Sequence, residues 1–245
     1  ENAIFPKCKE FHCDNNKLIS LPMLPNCIKL YCNNNKLTIF PGNKKFPKCE
    51  CLGCNYNQIS LFPEDTVLSN YKFLNCCNNQ LISFPTNLKL TNCEYFYCTD
   101  NNLISLPGLP NCKELYCDNN KLLSLPLLPY CKYLNCADNK LTSLPVLPNC
   151  VQLYCSVNQL ILLPNLPICE EINCSNNNIT LFLDSSLPNC ISLECNSNQI
   201  TSLCKLSKTS KTKIPCLQYC EYLDCCDNKL PTLPKLPSCL SLYCG

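Results

Sequence analysis

Along this chain the apolar positions alternate for a few residues, pause at an asparagine, and resume with a wider spacing broken by prolines. Leu115 and Cys117 lie two apart with Tyr116 between them, and Leu134 and Cys136 flank Asn135 in the same way. Residues two apart in an extended chain share a face, so this alternation predicts a short strand with leucine and cysteine inward and tyrosine or asparagine outward. Leu122 and Leu125 then re-enter the interior. The prolines around them forbid a helix and favour an extended or polyproline path back.

The pattern is an internal repeat, which fixes the architecture. Segments starting at Cys112, Cys131 and Cys150 read CKELYCDNNKLLSLPLLPY, CKYLNCADNKLTSLPVLPN and CVQLYCSVNQLILLPNLPI, 19 residues each and alignable without a gap. The unit is C-x-x-L-x-C-x-x-N-x-L-x-x-L-P-x-L-P-x. Its second cysteine recurs at Cys13, Cys32, Cys54, Cys76, Cys98, Cys117, Cys136, Cys155, Cys174, Cys195, Cys225 and Cys244, which makes twelve copies. Most steps are 19 residues, several are 21 or 22, and the step from Cys195 to Cys225 is 30 because CKLSKTSKTKIPC is inserted there. An asparagine follows the strand in every complete copy: Asn16, Asn35, Asn57, Asn79, Asn101, Asn120, Asn139, Asn158, Asn177, Asn198 and Asn228. Its amide both donates and accepts, so a stacked column of asparagines can satisfy backbone groups freed where each strand turns. No single coil can bury its own apolar face, so the coils must stack.

This unit resembles the leucine-rich repeat, L-x-x-L-x-L-x-x-N-x-L, with cysteine in the first and third apolar slots. The trailing L-P-x-L-P is similar to the short LPX subclass found in bacterial effectors, from which this chain departs by its shorter, thiol-lined turn. By family the resemblance implies an α/β solenoid. The proline tracts make this one nearly all-β and coil, with a parallel sheet on the concave face and extended or polyproline chain on the convex face. One solenoid domain is expected over 1–245, with a loop insertion at 204–216. In effectors of that subclass a separate helical ligase domain carries a catalytic C-x-D. Cys98-Thr99-Asp100 and Cys136-Ala137-Asp138 share the spelling but are repeat positions, so no enzyme is expected.

Composition narrows the chemistry. The 245 residues include 28 cysteines, 20 prolines, four glycines, one histidine and no tryptophan, with a net charge of +2. That balance gives no basic footprint for nucleic acid, and no apolar run approaches the ~20 residues of a membrane span, so neither partner is expected. Twenty-three cysteines occupy the two inward slots, where Tyr71 is the one exception. Buried thiols act as small hydrophobes where leucine would overfill a thin coil. Equivalent β-carbons of adjacent coils point the same way at ~4.8 Å, beyond the ~3.5–4.5 Å of an unstrained bridge, so ladder disulfides are disfavoured. Cys204 and Cys216 bracket the insertion and are the candidate bridge. Cys51 and Cys54 have C-x-x-C spacing but should face opposite ways in a strand, so no metal site is expected there. His12 is alone on an outward position, and the sequence has no phosphate-binding glycine motif. No cofactor is expected.

The outward strand positions form columns, and these are rich in aromatics. Phe73, Tyr95, Tyr97, Tyr116, Tyr133 and Tyr154 form a candidate protein-binding patch on the concave face, because tyrosine offers broad contact area with few rotors and a polar tip. Cross-strand stacking that only stabilises the sheet is the competing explanation. The leading expectation is a non-enzymatic recognition or scaffold module with a protein partner. The alternative is a building block of a viral particle coat or filament, self-associating end to end, because neither terminal copy carries a polar cap. Lysine without arginine beside abundant asparagine suits an AT-rich genome, as in protists or the large DNA viruses that infect them. Many free thiols favour folding inside a cell, in host cytoplasm for a viral protein, with later packaging into a virion, over secretion.

Overall fold

The computed structural model describes residues 3–40, 45–64, 66–182, 187–203 and 217–245. The chain divides into two compact units, Glu1–Leu122 and Leu123–Gly245. The first contains β1 (Glu10–His12), β2 (Lys29–Tyr31), β3 (Cys51–Gly53), β4 (Phe73–Asn75), β5 (Tyr95–Tyr97) and β6 (Glu114–Tyr116). The second contains β7 (Tyr133–Asn135), β8 (Gln152–Tyr154), β9 (Glu171–Asn173), β10 (Ser192–Glu194), β11 (Tyr222–Asp224) and β12 (Ser241–Tyr243). Within each unit successive strands pair parallel and in register, as in Phe73↔Tyr95 of the first and Glu194↔Asp224 of the second. Each copy of the repeat is therefore one coil of a solenoid. The described residues include no helix, as the proline tracts predict.

Each strand is three residues long with an inward middle residue, such as Leu74 and Phe96 in the first unit or Leu153 and Ile172 in the second, all essentially inaccessible to solvent. The return path is only partly inward. Leu122 and Leu128 are buried, whereas Leu125 is half-buried, so the leucine before the first proline of that coil sits less deeply than the spacing implied. Coil length and side-chain size go together at this slot. The 19-residue coils place Leu21, Leu106, Leu125, Leu144 and Leu163 there, and the 21- or 22-residue coils place Phe40, Phe62, Phe84 and Phe182. In the first unit Phe40, Phe62 and Phe84 stack from coil to coil with ring centres 4.9 and 5.5 Å apart. The wider loop needs a bigger filler, and close packing leaves no alternative.

The asparagine column ties coil to coil. Asn79 Nδ2 donates to the carbonyls of Cys76 and Cys77 in its own coil and of Cys54 in the preceding one, while its Oδ1 accepts from the backbone N–H of Ile59. Asn57, Asn101, Asn177 and Asn198 repeat the arrangement. The side-chain amide of Asn16, in the first coil, donates to the Cys13 and Asp14 carbonyls of its own turn. A second polar column, unmarked by the repeat consensus, lies just before the first cysteine: Asn92, Asn111, Asn149 and Asn189 each donate to a carbonyl one coil earlier at 2.7–2.8 Å.

All cysteines among the described residues are free thiols. The first-slot thiols donate to the carbonyl two residues ahead, as in Cys112 to Glu114 and Cys220 to Tyr222, both at 3.1 Å. A leucine there could not make that bond, so cysteine fits the slot by chemistry as well as by volume. Cys51 opens β3 on the solvent face while Cys54 is buried, so the C-x-x-C pair does face opposite ways. The proposed Cys204–Cys216 bridge and the lysines of the insertion lie outside the described residues. Tyr71 replaces the first-slot cysteine of the fourth coil. It is 2% exposed, and its hydroxyl faces Cys49 without a hydrogen bond of good geometry.

The residue before each column asparagine adopts positive φ, which the consensus hides. Asn15, Asn34, Asn78, Asp100, Asn119, Asp138, Asn176 and Asp227 suit the left-handed region, but Ser197 holds φ 55°, Val157 φ 54° and Tyr56 φ 52°. A β-branched residue there is strained by roughly 1–2 kcal/mol. Val157→Asn is expected to stabilise the fold by about 1 kcal/mol, a rise in Tm of about 2–4 °C for a chain of this size. A melting curve checks it, with Asn119→Val as the converse, destabilising variant.

The thiols set an alkaline limit. Burial pushes Cys49 and Cys93 up to about 12 and Cys32, Cys54, Cys76 and Cys98 well above the ordinary 9.0. The folded state keeps these protons while the unfolded chain loses them, so stability is constant below pH 9 and falls as pH rises toward the folded values. Each such thiol removes about 1.4 kcal/mol per pH unit in that window. Chemical denaturation followed from pH 7 to 11 is expected to show flat stability to pH 9 and then cooperative loss within one or two units. A midpoint unchanged at pH 10.5 contradicts it.

Candidate functional site

The outward positions of the strands are the surface on which neighbouring coils align side chains. In the first unit, β4, β5 and β6 carry Phe73, Tyr95, Tyr97 and Tyr116, and all four are half-buried. Tyr97 sits at their centre. Phe73 meets its ring edge-on at 5.5 Å and 89°, and Tyr116 stacks on it at 4.9 Å and 19°. The Tyr97 hydroxyl donates to Glu114 Oε2 at 2.8 Å. Burial, followed by that bond, raises the Tyr97 phenol above the usual tyrosine range. Tyr95 is flanked in register by Phe73 and Glu114. Further along the same face His12 stacks on Tyr31 at 4.8 Å. Tyr31 in turn lies over Gly53, where a β-carbon would come 2.9 Å from the ring, so only glycine leaves the tyrosine room to lie flat.

The second unit places Tyr133 on β7 and Tyr154 on β8, again half-buried. Tyr154 donates to Glu171 Oε1 at 2.6 Å, and Gln152 Nε2 reaches Glu171 Oε2 at 3.0 Å. Of the six aromatics singled out from the sequence, Phe73, Tyr95, Tyr97 and Tyr116 belong to the first unit and Tyr133 and Tyr154 to the second. In the first unit cross-strand stacking and the Tyr97–Glu114 bond hold the rings in place, and in the second the bond to Glu171 holds Tyr154. The surface is preorganised, which lowers the ordering cost of any contact it makes.

Electrostatics separate the two strand faces, which the repeat consensus gave no reason to expect. In the first unit the residues at and just before the strands form ion pairs between adjacent coils: Glu10 with Lys29, Glu50 with Lys72 and Glu94 with Lys113, at 2.7–2.8 Å. In the second unit Glu194 and Asp224 stand side by side in register, and Glu194 accepts from Asn173 at 2.8 Å. Burial, Asp224 and Glu171 together raise the Glu194 carboxyl above its ordinary range. Among the described residues no group of three or more metal-ligating side chains converges.

No protein-family model and no curated sequence matches the chain. Solved structures do. YopM from Yersinia enterocolitica WA-314 superposes with a TM-score of 0.71 at 29% identity, covering 96% of this chain and 55% of that one. The chain thus spans little more than half of that protein's length. A leucine-rich-repeat protein of Leptospira interrogans gives 0.60 at 27% identity over 92% of this chain and 70% of that one. TLR13 in its complex with ssRNA13 shares the fold at 0.62 and 20% identity, covering 89% and 36% of the two chains. These likenesses identify the fold as a leucine-rich-repeat solenoid of parallel strands. They lend no support to a particle-coat role, and the RNA-bound example removes any fold-level ground for excluding nucleic acid.

Tyr97 tests how much of the aromatic face is structural. Tyr97→Ala removes two ring contacts and is expected to cost about 2–3 kcal/mol, whereas Tyr97→Phe loses only the bond to Glu114, about 1 kcal/mol. Equilibrium unfolding in urea separates the two. Equal costs would mean that stacking contributes nothing.

Proposed function

We propose that this solenoid is a non-enzymatic protein-binding module whose outward strand positions make the contacts. The observation that supports it most is the fixed group of Phe73, Tyr97 and Tyr116 on β4–β6, with Tyr95 beside it. Binding energy at protein interfaces concentrates in a few well-packed aromatic anchors, and anchors that are already ordered lose little entropy on contact. Tyr133 and Tyr154 serve the second unit in the same way. Recognition is the reading that uses the ordered aromatic side chains this face presents.

The test is quantitative affinity capture from the source organism with the wild-type chain and with Tyr95→Ala/Tyr116→Ala, both first shown to be folded by thermal melting. These two rings are chosen because Tyr97 is the central structural one. The double variant is expected to lose the captured partner by at least tenfold, as hot-spot truncations do. Retention at wild-type level removes the strand face as the binding surface.

A further inference from the structure

Resting on that reading, we infer that the strand face of β9–β11 and the groove beside it receive a basic, partly apolar polypeptide segment, rich in arginine or lysine with aliphatic residues between. Glu171, Glu194 and Asp224 lie on three successive strands, and Glu170 and Glu221, just before β9 and β11, line one groove. Between Cys169 and Asp227 the stretches that form these strands and their flanking turns, 169–176, 190–197 and 220–227, contain no lysine. None of the five carboxylates takes part in a salt bridge among the described residues.

Like charges directly opposite on paired strands are destabilising. The first unit avoids that cost by alternating glutamate with lysine, and the second places Glu194 against Asp224 with no salt bridge to either among the described residues. Net charge does not account for the arrangement, because the whole chain carries +2. Attraction for a cation must therefore be local to this face.

A groove runs alongside. Ile168, Ile191 and Tyr219, which are 42%, 40% and 52% exposed, line it together with Glu170, Glu221, Asn189 and Ser238. Apolar side chains beside carboxylates suit a side chain with an aliphatic stem and a cationic head, as lysine and arginine have. The same charges repel nucleic acid phosphates and anionic lipid headgroups, which makes a basic protein segment the occupant this surface selects.

The probe is a fluorescein-labelled decapeptide alternating arginine and leucine, with a counterpart carrying glutamate for arginine, titrated with the intact chain by fluorescence anisotropy. The arginine peptide is expected to bind and the glutamate peptide not. Affinity should fall at least tenfold in Glu194→Gln/Asp224→Asn, and fall again with Ile191→Ser. It should weaken severalfold as salt rises from about 0.05 to about 0.3 M, since exposed charges are screened over roughly 10 Å. Glu50→Gln/Glu94→Gln, whose charges are paired in the first unit, should bind as wild type. The inference is overturned if the arginine peptide fails to bind, or if both double variants bind it equally. Capture that depends on Tyr95 and Tyr116 would then still stand, so failure of the basic-segment chemistry is distinct from failure of the protein-binding reading.

Discussion

An asparagine amide at the end of each strand joins one coil to the one before it, and the rest of the fold depends on that connection. Where the chain leaves the sheet it must turn inside a packed interior, and its carbonyls would otherwise be buried without donors. Asn79 supplies donors to three of them and accepts from a fourth group in the neighbouring coil. A buried unsatisfied group costs about 1–3 kcal/mol, so loss of one such amide outweighs most surface interactions in the molecule. The same turn requires a left-handed residue immediately before the asparagine, which explains the run of Asn and Asp there and marks Val157 and Tyr56 as strained exceptions.

With the turn fixed, the cross-section of the coil decides what can fill it. Nineteen residues enclose space for leucine and thiols, and two or three more enclose space for phenylalanine. Cysteine serves twice, as a small apolar filler and as a donor to the carbonyl that opens the strand. Its cost appears only at alkaline pH, where a column of thiols that cannot ionise in place favours the unfolded chain.

Outside the coil the constraint is relaxed, and there the two units diverge. The first closes its charges into ion pairs and its aromatics into a stack centred on Tyr97. The second sets Glu194 and Asp224 side by side on β10 and β11. Both arrangements use the same backbone, which is why function in a solenoid resides in the outward columns and not in the repeat itself.

The repeat, the strand positions, the inward face, the asparagine column and the absence of helix were all legible in the sequence, because each follows from a period of two within a period of about twenty and from the covalent limits of proline. The aromatic column could be listed from register alone. The sequence could not show that Tyr97 is clasped between Phe73 and Tyr116, that Tyr31 depends on Gly53 for room, that Leu125 sits only half inside, or that a second amide column runs before the first cysteines. Nor could it show that Glu194 and Asp224, 30 residues apart, stand opposite one another in register while glutamates of the first unit find lysines. These depend on which side chains of different coils come within a few ångströms of one another, and that distance is set only when the coils stack.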